Sequence, residues 1–394
     1  MKRTKTTFLS VLQFCSLVAF LWGTQASGSG LFDRGALLQK AGENAAEIQT
    51  ALEKTPLSQR EGIEFLLAHM PEHDLKSLSA NFLLEHVAYA YKAWQESPWK
   101  SEVPKDIFLN NILPHVSINE QRDAWRKSFY ERFKPLIEGI ESPGLAAVRL
   151  NQQIYPLLGV KYSTKRKKAD QSPFETMESG LASCTGLSIL LIDACRAVGI
   201  PARFVGTPLW SDNSGNHSWV EVWDDGWHFT GAAEPSGDHL DQAWFIGRAA
   251  KADRDSRRHA IYAVSYQSTP QPFPMVWKRG ADFVSSVNVT DRYTELGKSL
   301  PDGFINMMFR IVDGASGDRC SAPLQLLDDQ GDLVFEGASK DERFDSNDHL
   351  TVPVKEGATY KLKVPSESGQ EIIRTVKAES DGQLVDLKIP TDKQ

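Results

Sequence analysis

Apolar residues between positions 31 and 158 recur at helical spacing, as in Ile63, Leu66, Leu67 and Met70, and again in Leu83, Leu84, Val87, Ala88 and Tyr91. This period of three to four predicts five or six amphipathic helices. Pro71, Pro98, Pro104, Pro114 and Pro143 punctuate them, and Ser58 with Glu61 and Ser117 with Glu120 fit the capping box. The pattern then changes. One apolar helix over Thr185–Val198 ends at Gly199 and Pro201, and extended segments follow at Ala202–Thr207, His217–Trp223 and Trp227–Ala233. From position 283 onward, seven short alternating runs separated by turn residues predict a β-sandwich: Phe304–Val312, Pro323–Leu327, Leu333–Glu336, Leu350–Val354, Tyr360–Val364, Ile372–Ala378 and Leu384–Ile389. The expected class is α+β.

These changes of pattern divide the chain into a leader over 1–26, a helical domain over 31–144, a catalytic core over 145–267, a Pro-rich linker over 268–282 and the sandwich over 283–394. The leader has the layout of a secretory signal: Lys2, Arg3 and Lys5, an apolar run from Phe8 to Trp22, and small residues up to Ala26. The run is short for a membrane span. The expected destination is therefore outside the cytoplasm, secreted or periplasmic, with no span after cleavage. Loss of the leader takes the formal charge from −7 to −10, which argues against nucleic acid as a partner. The basic run Lys165–Lys168 is the local exception and reads as a solvated loop. Cys184, Cys195 and Cys320 follow the leader. So few cysteines exclude a disulfide scaffold, and an odd number points to a free thiol.

Cys184 opens the apolar helix, where the unpaired N–H groups and the dipole favour a thiolate. Cys195 lies eleven residues on, about 16 Å away along the helix, and reads as core. His217 begins a strand, and Asp225-Gly226 is a hairpin signal. With those two residues as the loop, Trp223 faces His228, Glu221 faces Thr230, and His217 faces Glu234. Glu234 is then the acid expected to orient the imidazole, with Asp238 and Asp241 as substitutes. The inference depends on register, since a slip of one residue turns the side chains to opposite faces. Trp219 and Trp227 are candidate walls of a substrate cleft. A zinc site from Cys184, His217, His228 and His239 fits no familiar spacing, and no nucleotide or dinucleotide loop is present. No metal or cofactor is expected.

The stretch Ser183-Cys184-Thr185-Gly186, with a helix ending Arg196-Ala197-Val198-Gly199-Ile200-Pro201-Ala202-Arg203, resembles the transglutaminase-like superfamily. His217-Ser218-Trp219-Val220-Glu221-Val222, followed by Gly226-Trp227, is similar to the family's histidine strand. The resemblance covers about 145–245. It implies a papain-like core in which Cys184 and His217 are catalytic. The family's third residue, an Asp often followed by Pro, is replaced here by Glu234-Pro235. The implied activity is cleavage or transfer of peptide or protein amide acyl groups through a Cys184 thioester. The competing expectation is a scaffold that has lost its chemistry and binds proteins.

Overall fold

The computed structural model describes residues 32–297, 300–365 and 371–389. The expected leader lies outside them. Among the described residues, no helix is long and apolar enough to cross a membrane.

Among the described residues, eight α-helices precede position 159, more and shorter than the spacing predicts, the longest being Ala80–Glu96 and Pro143–Leu158. Pro143 opens the last of them, because a missing N–H costs nothing in a first turn, and Pro71 and Pro104 stand just before two others. Neither expected capping box is complete. Ser58 sits in a 3₁₀ turn. Glu120 does accept from the Ser117 backbone N–H at 2.6 Å, but the Ser117 hydroxyl is drawn to Asp193, 3.1 Å away. The box that forms is Ser172 with Glu175, which opens the helix Pro173–Ser179.

The helix Cys184–Ala197 is the centre of the molecule. Every residue from Thr185 to Ala197 is buried. It packs on one side against the N-terminal helices and on the other against a five-stranded antiparallel sheet. The strand order is Trp227–Thr230, His217–Trp223, Ala202–Thr207, Tyr262–Val264 and Ser286–Asn288. Gly199 ends the helix with φ of +85°, and a Cβ there would lie 2.6 Å from the Ala93 carbonyl oxygen.

The expected boundary at 144/145 cuts the helix Pro143–Leu158. One continuous apolar core runs from Leu37 to Val284. The helical region and the catalytic core are therefore one unit. Polar ties reinforce it: Arg126, almost fully buried, donates to the carbonyls of Arg196, Ile112 and Pro114. The Pro-rich stretch is no spacer either. Phe273 and Met275 are buried in this core, and Thr269 bonds Ser286 of the outermost strand.

The sandwich starts at Phe304 and not at 283, and its seven strands coincide with the seven expected runs. Leu333–Ala338, Pro323–Leu327, Thr359–Pro365 and Glu371–Lys377 form one sheet, and Leu350–Lys355, Phe304–Asp313 and Gln383–Ile389 the other. Met307, Phe309, Leu326 and Leu362 fill the space between. Buried and less buried residues alternate along Pro323–Leu327, Leu350–Lys355, Thr359–Pro365 and Gln383–Ile389, which makes these strands readable by period alone.

Candidate active site

The Cys184 thiol stands at the first turn of the central helix, partly exposed. The Ser183 hydroxyl caps that turn by accepting from Gly186 N–H at 3.3 Å and donates to the Ala169 carbonyl at 2.8 Å. Thr185 and Ser218 share a hydrogen bond of 3.1 Å, tying the turn to the histidine strand.

His217 is 1% exposed. Trp244 and Phe245 lie with ring centroids 4.9 Å from the imidazole, and Trp219 stacks at 5.8 Å. This aromatic enclosure leaves the ring edge as its polar outlet. The acid on that edge is Asp345, from a sandwich loop. Its Oδ2 lies 3.6 Å from His217 Nδ1, and both side chains are 1% exposed. Donor atoms of Cys184, His217 and Asp345 all lie within 4.8 Å of one another. The three groups cluster closely enough for the acid to hold the imidazole and for the imidazole to exchange a proton with the sulfur. Cys, His and Asp are also metal-ligand types, and the cluster is compact enough to face a single ion.

The electrostatics agree. Burial alone would push the His217 imidazole down, but Asp345 and Cys184 beside it hold it well above its ordinary value. Burial would likewise raise Asp345, and it is outweighed by His217 and by the Asn347 hydrogen bonds, which leave the carboxyl low. Asp345 Oδ1 accepts from the Asn347 backbone N–H at 2.8 Å and its side chain at 3.1 Å. Asn347 also donates to the Asn216 carbonyl, next to His217, at 3.1 Å. Arg319, 8% exposed, fixes the loop from behind by donating to the carbonyls of Phe344, Asp345 and Asp348. Across the domain junction, Tyr162 Oη accepts from Ser346 N–H at 2.9 Å, and Lys165 meets Asp318 at 3.5 Å.

The hairpin register corrects the sequence argument. Trp223 pairs with Trp227, Val222 with His228, Glu221 with Phe229 and Val220 with Thr230. This is a slip of one residue from the expected pairing. Asp224 is the cause: its carboxylate accepts from Ser142 Oγ at 2.7 Å and from Gly144 N–H, so it joins Asp225 and Gly226 in a three-residue loop. The strand then ends at Thr230. Asn151 takes up the turn that follows, bonding the Gly231 carbonyl and Ala233 N–H. Glu234 thus does not pair with His217. Its carboxyl accepts from Trp244 Nε1 at 2.9 Å. It still belongs to the neighbourhood: burial, lessened by His217 and reinforced by Asp345, lifts it to about 7.

Of the other expected residues, Asp241 bonds His228 Nδ1 at 2.6 Å, and Asp238 accepts from Gln152. Trp219 is no cleft wall: it is fully buried and donates to Tyr293 Oη at 2.7 Å. Trp227 lies at the far end of the hairpin, about 20 Å along the strand from His217, beneath the Arg203 guanidinium at 3.7 Å. His228 and His239 take no part in the site. Cys195 is fully buried, as expected. Asp345 went unnoticed because it sits in a polar loop of another domain. The one signal available was the dense run Asp341–Asp348, with four acids and an arginine between two strand-like segments.

A thiol on a helix N-terminus, an imidazole on the neighbouring strand and a carboxylate on the imidazole define the layout of a papain-type cysteine site on an α+β fold. Residues 132–231, about a quarter of the chain, match the family model of the transglutaminase-like superfamily. No curated protein matches the sequence. Among solved structures, the chain is similar to a candidate cysteine protease from Cytophaga hutchinsonii, with 20% identity, 41% of this chain and 58% of that one covered, and a TM-score of 0.25. It is also similar to a candidate protease from Parabacteroides distasonis ATCC 8503, with 9% identity, 75% and 53% covered, and a TM-score of 0.25. Red sea bream transglutaminase gives 9%, 75%, 59% and 0.21. The chain therefore spans little more than half the length of each.

Proposed function

We propose that the protein is an exported thiol enzyme that cleaves or transfers peptide or protein amide acyl groups through a thioester on Cys184. The observation that carries this reading is the buried Asp345–His217 pair beside a partly exposed thiol at a helix N-terminus. An imidazolium next to sulfur sustains a thiolate nucleophile. In the reaction, sulfur attacks the amide carbonyl, His217 gives its proton to the departing amine, and water or a second amine resolves the thioester. The Cys184 N–H, at the helix end, is placed to steady the oxyanion. Asp345 keeps the imidazole in one tautomer and offsets its charge.

The second reading, a protein-binding scaffold without chemistry, gains nothing from a histidine held protonated against a carboxylate in the interior. The deciding experiment is alkylation of Cys184 by iodoacetamide as a function of pH, followed by peptide mass spectrometry, in the wild type and in His217→Ala. The expected result is fast alkylation well below about pH 8.5, the ordinary thiol value, lost in the variant. Slow alkylation in both proteins would favour the scaffold.

A further inference from the structure

The basic run at 165–168 is a motif of the sequence that the proposed chemistry leaves unused. Five of the eight residues from Lys161 to Lys168 are cationic and none is acidic, in a chain whose formal charge is −7. Their side chains stand at the surface, exposed or half-buried, as in a solvated loop. Solvation does not explain where the ends of this loop are fastened. Lys161–Tyr162 pairs in parallel with Leu181–Ala182, the two residues before Ser183, and Ser163 N–H donates to the Ala182 carbonyl at 2.8 Å. At the other end, the Ala169 carbonyl accepts from the Ser183 hydroxyl at 2.8 Å. Both anchors are thus on the residues that lead into Cys184. Consecutive Cα atoms are about 3.8 Å apart, so no Cα of the intervening loop lies more than about 11 Å from that of Ser163 or Ala169. The charges are held beside the thiol.

Their pairing is uneven. Lys168 meets Glu175 at 2.9 Å, and Lys165 meets Asp318 at 3.5 Å, with both side chains of that pair well exposed. Asp170, at the end of the loop, accepts from the Asn119 amide. Among the described residues, Lys161, Arg166 and Lys167 have no carboxylate at ion-pair distance, and Arg166 donates to the neutral Thr164 carbonyl. Clustered like charges without partners repel one another, and an arriving anion relieves that repulsion. In a chain of net negative charge they also set up a local field of opposite sign, which draws anions toward this edge. A phosphate backbone is a poor fit, because one short loop on an otherwise acidic surface offers it no continuous track.

We propose that residues 161–168 form a specificity edge of the site and select an acyl substrate with an acidic segment, a peptide carrying Asp or Glu beside the amide that Cys184 attacks, with Arg166 and Lys167 as the receiving cations. The inference rests on the proposed function for the orientation of the peptide toward the thiol, whereas binding itself requires no chemistry.

Fluorescence anisotropy of the full chain carrying Cys184→Ala tests this, with a rhodamine-labelled Gly-Glu-Asp-Glu-Gly peptide against Gly-Gln-Asn-Gln-Gly and a short oligothymidylate. The expected result is saturable binding of the acidic peptide, roughly tenfold tighter than of the neutral one and weakening as salt screens the loop. Exchange of both receiving cations, Arg166→Gln with Lys167→Gln, is expected to weaken it about fivefold. Lys361→Gln, the same change at an exposed position of the sandwich, leaves it unaltered. In the wild type, saturating acidic peptide is expected to slow iodoacetamide labelling of Cys184 several-fold. Absence of binding, equal affinity for the neutral peptide, no effect of the double exchange, equal or tighter binding of the oligothymidylate, or binding that leaves Cys184 labelling unchanged would overturn the proposal. Because anisotropy is read on a chain without the thiol, an inert Cys184 would sink the proposed activity and leave the binding result standing.

Discussion

Replacing Asp345 with Asn separates the charge of the acid from its shape. The amide keeps an oxygen for the two Asn347 bonds, and Arg319 holds the loop by main-chain carbonyls that the substitution does not touch. What is lost is the negative charge 3.6 Å from His217 Nδ1. At an effective dielectric near 20, unit charges at that separation interact by about 4–5 kcal/mol. The His217 pKa is therefore expected to fall when this charge is removed. A neutral imidazole no longer sustains the thiolate, so alkylation of Cys184 at pH 6–7 is expected to slow by about ten- to a thousandfold. The assay is the pH profile of iodoacetamide labelling, paired with thermal unfolding to show that the fold survives. A wild-type profile in Asp345→Asn would refute the assignment of the acid. A larger loss in Glu234→Gln than in Asp345→Asn would transfer the role to Glu234.

Three further outcomes are expected. Arg319→Ala leaves three loop carbonyls without their donor; at about 1.5–3 kcal/mol for each bond to a charged group, it should lower the melting temperature markedly and slow Cys184 labelling from a distance, with partial rescue by lysine. Gly206→Ala sets a Cβ 2.9 Å from the His217 carbonyl oxygen, so about 1–3 kcal/mol of destabilisation is expected, along with slower labelling; unchanged labelling would mean that the strand yields without moving His217. Stability should also fall with acid. Burial holds His86 well below 6.5, and its Nε2 accepts from Arg126 Nε at 2.8 Å, which only the neutral ring can do. The unfolded chain binds this proton first, so stability is intact above about pH 6.5 and declines below it by up to about 1.4 kcal/mol per pH unit. His86→Gln should flatten the curve of melting temperature between pH 7 and 5.

The parts of this fold that could be read from the chain are those whose period reports burial directly. The sandwich strands alternate because one face meets the core, and the apolar helix is continuous because it is buried all round. Cys184 and His217 were legible for the same reason: each sits at the first residue of a strongly patterned element. The N-terminal helices were legible in kind and not in number, because 3₁₀ turns and prolines break them where the spacing runs on. The Pro-rich stretch misled, since proline marks an irregular backbone without saying whether Phe273 and Met275 are exposed.

Glu234 and Asp345 differ in a more instructive way. Hairpin register depends on more than the local residues: a single carboxylate, Asp224, shifts it by leaving the ladder to cap the helix Pro143–Leu158. The acid on the imidazole comes instead from the other domain, which local spacing cannot report. This has a physical consequence. The cluster exists only when the sandwich is docked, with Ser346 on Tyr162, Asn347 on the Asn216 carbonyl and Lys165 against Asp318. Undocking would leave a thiol and an imidazole without an acid, and would open His217 to water on the side where Asp345 now excludes it. The sandwich is thus a structural part of the candidate active site, and the formation of a reactive thiol is expected to follow the folding of both halves of the chain.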